Sequence, residues 1–223
     1  MNETILDYLI KALVLFTAVP VHECAHAWVA EKMGDDTGRK QGRITLNPFV
    51  HLTLWGSLMM ILVGFGWGKP VMVDSRNFKN PKKGMVLTSL AGPASNFIMA
   101  FLSMIVYKVL AFLSFAKDSS TLDMLATVFV YITLINISLA VFNFLPIPPL
   151  DGSKIFNAIL PEKWYFTIMK YENFIFIALI ILVYSGLLDA PLSFLQDKVI
   201  DVMLFLTGWV DKIMSLLIAG GVI

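Results

Sequence analysis

A His-Glu-x-x-His sequence lies near the start of the chain, at residues 22–26. On a helix, His22 and His26 share one face because they are four residues apart, so they can offer two nitrogens to one metal ion. Glu23 stands beside them as a candidate general base. Cys24 is rotated by about 200° from His22 and is expected to point away. These residue types at this spacing are typical of zinc hydrolases.

The two histidines lie in an apolar run, where an ionisable side chain is costly and is therefore a candidate for function. A hydrolytic zinc site usually has three protein ligands and one open position, so a third ligand must come from elsewhere. The candidates are His51 and a carboxylate near the same membrane level. Asp151 is favoured because it follows a proline-rich turn that can aim it inward, and Gly152 permits close backbone approach. His51 also has a structural explanation, as a loop histidine.

The composition predicts a polytopic membrane protein. Of the 223 residues, 57% are hydrophobic and 15% are charged, and the mean hydropathy is +0.76. Ordinary soluble domains carry about 25% charged residues. The formal net charge of +1 leaves no basic surface once the lysines and arginines are shared among the loops, so no nucleic-acid partner is expected. The partners expected are membrane lipid and membrane proteins.

Five apolar stretches are long enough to be membrane spans of about 20 residues. We therefore predict an all-α polytopic membrane protein with a small re-entrant β element at 63–73, where glycines and a proline interrupt the apolar pattern. Charges in the fifth stretch also allow it to lie in the membrane interface. The predicted spans are 5–31, 84–115, 122–145, 171–188 and 191–218.

The distribution of positive charge predicts the orientation in the membrane. Most of the 17 lysines and arginines fall in the loops that follow the first and third predicted spans. The positive-inside rule makes these loops cytoplasmic and puts the N-terminus outside. His22 then lies about 14 Å from the cytoplasmic end of its helix, and Asp151 lies on the same side of the membrane. The site is therefore expected toward the cytoplasm.

Three motifs occur in the order found in the site-2 protease family of intramembrane zinc metalloproteases, which the chain resembles over roughly residues 1–160. They are His-Glu-x-x-His at 22–26, Ala-Gly-Pro-Ala-Ser-Asn at 91–96 and Asn-Phe-Leu-Pro-Ile-Pro-Pro-Leu-Asp-Gly at 143–152. The resemblance is closest to the compact bacterial members without PDZ or CBS domains, which implies a multi-pass protein of the bacterial inner membrane. It implies a catalytic core at 1–160, with three membrane helices and a re-entrant loop, and further helices of the same domain at 161–223.

The resemblance implies one zinc ion per chain, held by His22, His26 and Asp151. Glu23 would activate water to attack a peptide bond of a transmembrane protein substrate. Physical chemistry agrees with this role, because zinc lowers the pKa of a bound water to about 7 and a carboxylate can carry the proton to the leaving amine. The implied reaction is regulated intramembrane proteolysis.

Two asparagines and one apolar segment are candidates for contact with the substrate. The resemblance gives Asn143 a supporting role, as a hydrogen-bond donor to the substrate backbone or the developing oxyanion. Asn96 is a weaker candidate for that role and also suits the fastening of helices. An unwound substrate can add as a strand to an extended segment, which satisfies its backbone groups inside the bilayer. The candidate substrate strand comprises Val63, Gly64, Phe65 and Gly66.

Two other functions are compatible with a buried metal site. The main alternative is a zinc transporter or metal-binding membrane protein, in which the same ligands hold an ion transiently. The other is a noncatalytic relative that binds membrane proteins. Glu23 discriminates between the enzyme and the transporter, because a transporter needs no base beside its ligands.

Overall fold

The computed structural model is mostly helical and describes residues 5–63, 66–157, 168 and 170–220. Within these ranges the predicted all-α class is confirmed. A short 3₁₀ turn, Ser75–Asn77, precedes the longest helix. The helices are α1 (Ile5–Met33), α2 (Thr37–Lys40), α3 (Pro48–His51), α4 (Leu54–Val63), α5 (Pro81–Lys117), α6 (Ser120–Asn143), α7 (Asp151–Asn157), α8 (Glu172–Tyr184), α9 (Asp189–Leu206) and α10 (Gly208–Ala219).

Three helices are long and apolar enough to cross a membrane: Tyr8–Met33 within α1, then α5 and α6. Helices α8 and α9 meet the same test as a pair, but they are bent by 83° at the break between them. The described residues thus contain three candidate spans, or up to four if the bent pair is one span. The predicted count of five is not confirmed, since Thr207 divides the stretch 191–218 between α9 and α10.

Helices α5 and α6 form a hairpin because only a two-residue turn joins them. Asp118 adopts the left-handed conformation, with φ of 46°, and ends α5. Ser119 then caps α6 with its side chain. At the other end of α5, the Asn80 side chain accepts a hydrogen bond from Lys83 N at 3.0 Å. These caps define the ends of the helix that carries the middle motif of the sequence.

The core lies where α5 meets its neighbours. Helix α5 packs against both α1 and α6, and α9 packs against α6. The buried cluster that joins α5, α6 and α9 consists of Ala100, Met104, Ile137, Val141 and Met203. Farther along α5, the buried Lys108 pairs with Asp211 of α10. The C-terminal helices therefore pack onto the same core as the first three spans.

The segment that follows α4 is extended but forms no strand among the described residues. Its one ladder contact is an isolated antiparallel bridge between Leu52 and Gly68, so the predicted β element is not confirmed. The structure also differs from the predicted substrate strand at Val63, which is the last residue of α4 and is helical. Gly64 and Phe65 lie outside the described residues. Gly66 is non-helical and packs against α4, where a Cβ would collide with Gly56 O and the Met60 side chain.

Candidate metal centre

Three ligand atoms meet between α1 and the start of α7. His22 and His26 lie one turn apart on α1, and their Nε2 atoms are 3.0 Å from each other. Asp151, the first residue of α7, places Oδ2 at 3.1 Å from His22 Nε2 and 3.0 Å from His26 Nε2. All three side chains are buried. Among the described residues, they form the one group of three or more such side chains suited to a metal ion.

The outward-facing nitrogens of both histidines are hydrogen-bonded to α5. His26 Nδ1 is 2.6 Å from the Thr88 carbonyl oxygen, which can only accept, so Nδ1 carries the hydrogen. His22 Nδ1 is 2.6 Å from Asn96 Oδ1. The Asn96 amide is oriented by its nitrogen, which donates to Asn136 Oδ1 at 2.9 Å. Each Nδ1 therefore carries a hydrogen, and in the neutral form of such an imidazole the lone pair lies on Nε2, which faces the centre.

This donor set fits a zinc ion. Two imidazole nitrogens and a carboxylate oxygen converge within 3.1 Å, and a cation bound among them would satisfy all three. Ligand atoms around tetrahedral zinc lie about 3.3 Å apart, given bonds of about 2.0–2.1 Å. The observed separations of 3.0–3.1 Å are close to that value. Two histidines and one carboxylate are also a usual ligand set of catalytic zinc.

Gly92 leaves the space that the imidazoles occupy. It lies on α5 between Thr88 and Asn96, at four-residue spacing on the same helix face. A Cβ at Gly92 would come closer than 3.0 Å to ring atoms of both His22 and His26. The glycine is thus required by the close approach of the two rings to the α5 backbone.

Asp151 is aimed inward by the turn between α6 and α7. Helix α6 ends at Asn143, and the chain returns through the proline-rich stretch 146–149. A Cβ at Gly152 would collide with the carbonyls of Phe144 and Leu145, so the predicted close approach at this glycine is confirmed. The turn thereby directs Asp151 Oδ2 at the Nε2 atoms of both histidines.

Glu23 lies beside the centre with one oxygen held by main chain. It is half-buried, and its Oε2 accepts a hydrogen bond from Val71 N at 3.1 Å. Gly68 is also close, because a Cβ there would lie 3.7 Å from Glu23 Oε1. Cys24 is half-buried and is not in the ligand group, in line with the helical rotation expected from the sequence. A carboxylate held next to two histidines that could bind a metal ion is suited to proton transfer.

Comparisons with known proteins identify the family. The model of peptidase family M50 matches residues 10–121 and 108–184, which is more than half of the chain. The chain belongs to peptidase family M50. The predicted resemblance to the site-2 proteases is thereby confirmed, as is the predicted enzyme class, a zinc metalloprotease.

Three relatives of this M50 peptidase carry similar descriptions. The putative zinc metalloprotease YwhC of Bacillus subtilis is 37% identical over 182 residues, which cover 80% of this chain and 81% of the relative. The zinc metalloprotease MJ0392 of Methanocaldococcus jannaschii is 29% identical over 74% of this chain and 38% of its own length. The putative zinc metalloprotease Rip2 of Mycolicibacterium smegmatis is 30% identical over 59% of this chain and 50% of its own length. No solved structure matches the chain significantly.

Three other residues considered from the sequence have defined positions in this M50 peptidase. His51 is fully buried, donates from Nε2 to Thr45 O at 2.8 Å and lies outside the group formed by His22, His26 and Asp151. Asn143 donates to Leu139 O within its own helix at 3.0 Å. Asn96 is buried behind His22. The roles of Asn143 and Asn96 toward the substrate stay predictions.

Several residues that support the site were missed by sequence reasoning. Thr88 and Asn136 stand behind the two histidines, and Val71 holds Glu23. Asn136 carried a usable signal, because a polar side chain in the middle of an apolar span is costly unless it has a partner. Thr88 and Val71 gave no signal in the sequence, because each makes its contact through a main-chain atom. Most residue types at the same backbone position could make that contact.

Proposed function

We propose that this M50 peptidase is an intramembrane endopeptidase in which His22, His26 and Asp151 hold one zinc ion per chain and Glu23 is the general base. The observation that carries the proposal is the convergence of three lone-pair atoms, with both imidazoles oriented by α5. Family membership supports the zinc protease activity, and the contacts of these four residues support their individual roles.

Each side chain has a defined part in hydrolysis. A bound zinc ion would supply the Lewis acid that makes water a nucleophile at neutral pH. Glu23, oriented by Val71 N–H, takes the proton of the attacking water and transfers it to the leaving amine. Asn96 and Thr88 keep the imidazoles in the tautomer that binds metal. Asn143 is proposed to donate a hydrogen bond to the substrate carbonyl as charge develops on it.

The proposed substrates are transmembrane proteins that unwind locally before cleavage. A peptide bond within a helix is shielded by its own hydrogen bonds, and an unwound segment needs other partners in the bilayer. The extended segment from Gly66 to Val73 approaches Glu23 through Gly68 and Val71, and this proximity supports a role in presenting the substrate. Met72 of this segment is 60% exposed. We propose that substrate backbone pairs with the end of this segment at Met72 and Val73, beyond the main-chain groups that bond to Arg43, His51 and Glu23.

The proposed location is the bacterial inner membrane, with several spans and the N-terminus outside. The charge distribution supports this orientation, and three apolar helices support a multi-pass protein. The metal centre then faces the cytoplasmic half of the bilayer, where lipid surrounds α1, α5 and α6.

The test of function is cleavage by purified protein in lipid vesicles that also contain a single-span protein substrate. The wild type is expected to yield fragments, and Glu23→Gln is expected to yield none while it retains zinc. Glu31→Gln is a matched control, because it is the same substitution on the same helix at a residue paired with Arg39. Cleavage that persists in Glu23→Gln contradicts the proposal. Zinc uptake by the vesicles, unchanged in Glu23→Gln, would support the transporter instead.

Substrate pairing is tested separately with a photocrosslinker in place of Met72. In the Glu23→Gln background the probe is expected to capture the uncleaved substrate. The same probe in place of Phe205, which is 84% exposed on α9, is the control for nonspecific contact. Equal capture at both positions would contradict pairing along the segment.

A further inference from the structure

Arg43 is a buried cation that lies outside the metal centre. It is 3% exposed, and its guanidinium donates to three main-chain carbonyls. Nη1 bonds to Val50 O at 2.6 Å and to Lys69 O at 3.2 Å, and Nη2 bonds to Pro70 O at 3.3 Å. A guanidinium is a rigid planar fork, so several acceptors bound to it are held in fixed relative positions. Arg43 thus joins α3 to the segment that follows Gly68.

The same segment is held from its other side. Lys69 N donates to His51 O at 2.7 Å, next to the bridge between Leu52 and Gly68. A Cβ at Gly68 would lie 3.0 Å from the Val19 side chain and 3.1 Å from His51 O. The segment therefore lies tightly between α1 and α3, and its peptide planes have little room to rotate.

One peptide group connects Arg43 to Glu23. The Pro70 carbonyl, which accepts from Arg43, and the Val71 N–H, which donates to Glu23 Oε2 at 3.1 Å, belong to the same peptide unit. Because this unit is planar, the direction of its carbonyl determines the direction of its N–H. A cation at the oxygen end also polarises the unit and strengthens the hydrogen bond that the N–H donates.

We propose that Arg43 is a positioning residue for the general base. By fixing the peptide between Pro70 and Val71, it aims the N–H at Glu23 Oε2, holds the carboxylate in one orientation and directs Oε1 to proton transfer. This inference rests on the proposed function, because it assigns Glu23 the role of base. Arg43 acts through the main chain, so it affects the rate of the chemical step and not the zinc ligands.

The kinetic test compares Arg43→Gln, Arg43→Lys and the wild type as zinc-loaded full-length protein in vesicles. Arg43→Gln is expected to lower kcat by roughly 10- to 100-fold, the effect of misplacing a catalytic group by about 1 Å, with KM and zinc content retained. Arg43→Lys restores the charge but not the fork, so an intermediate kcat is expected. Arg76→Gln is the matched control, because Arg76 lies exposed beside the same segment and pairs with Asp74.

Amide hydrogen exchange gives a second readout that does not depend on activity. Exchange at Val71 is expected to accelerate at least about tenfold in both Arg43→Gln and Glu23→Ala, since each removes one end of the same hydrogen-bonded unit. A wild-type kcat in Arg43→Gln, or unchanged Val71 exchange in both variants, overturns the proposal. A kcat loss matched by loss of zinc also overturns it. Cleavage by Glu23→Gln would overturn the proposed function, and the exchange data would still report whether Arg43 orients the Glu23 carboxylate.

Discussion

Replacement of Gly92 by alanine is expected to weaken zinc binding while the helices remain folded. The added methyl group would lie closer than 3.0 Å to ring atoms of both His22 and His26. The rings cannot retreat freely, because Asn96 and Thr88 on the same helix hold their outer nitrogens at 2.6 Å. Either the α5 backbone moves away or the imidazoles leave the positions in which they can share a metal with Asp151.

The size of the effect follows from the cost of overpacking. An extra methyl group in a well-packed region costs about 1–3 kcal/mol. Without metal a ring can rotate away if it gives up its hydrogen bond to Asn96 or Thr88, whereas zinc also holds the Nε2 atoms in place, so much of the overpacking cost falls on the bound state. At about 1.4 kcal/mol per tenfold change, the zinc dissociation constant of Gly92→Ala should rise roughly 5- to 150-fold.

Competition with a zinc chelator measures this dissociation constant in detergent, and cleavage at saturating zinc measures whether activity returns. Gly208→Ala is the matched control, because a Cβ at Gly208 meets nothing within 4 Å. It should bind zinc like the wild type. A wild-type dissociation constant for Gly92→Ala would refute the argument that this glycine makes room for the ligands.

Three further predictions concern the supporting contacts. Asn136→Ala removes the amide that orients the asparagine behind the first histidine and should raise the zinc dissociation constant by about tenfold in the same competition assay. Asp35 is fully buried, and although burial alone would raise its pKa, hydrogen bonds including those from Thr37 hold the pKa below its usual value. Its contribution is therefore complete above about pH 4 and is lost as pH falls through the lowered pKa. Asp35→Asn should reduce thermal stability by about 1–3 kcal/mol at neutral pH, with the difference from the wild type shrinking in acid; a pH-independent difference would contradict this. Asp211→Asn leaves the buried Lys108 without its carboxylate partner and should lower the free energy of unfolding by about 2 kcal/mol. The loss is smaller than for a fully buried ion pair because Asp211 is half-exposed. Thermal unfolding of the variant and the wild type measures the difference.

Much of the fold could be predicted because membrane helices are specified by length and hydropathy. The first three spans were expected at 5–31, 84–115 and 122–145, and the structure has helices Ile5–Met33, Pro81–Lys117 and Ser120–Asn143. The caps at each end explain the small differences in bounds.

The C-terminal region was predicted less well because hydropathy does not encode bends. The expected spans at 171–188 and 191–218 are three helices in the structure, with an 83° bend between the first two. Gly186, with φ of 75°, lies in the turn at this bend and provides a backbone conformation that other residues rarely adopt. A glycine alone does not reveal which conformation the packed protein requires.

The sequence by itself determined that the two histidines share a face of their helix, because residues four apart do so whatever the rest of the chain does. It also determined that a glutamate lies next to them. Only the tertiary structure decided what surrounds them. The stripe of Thr88, Gly92 and Asn96 meets the histidines because α1 and α5 pack in opposite directions, so that His26 faces Thr88 and His22 faces Asn96. The arrival of Asp151 and the hydrogen bond from Val71 to Glu23 likewise depend on segments distant in sequence, whose contacts no local periodicity encodes.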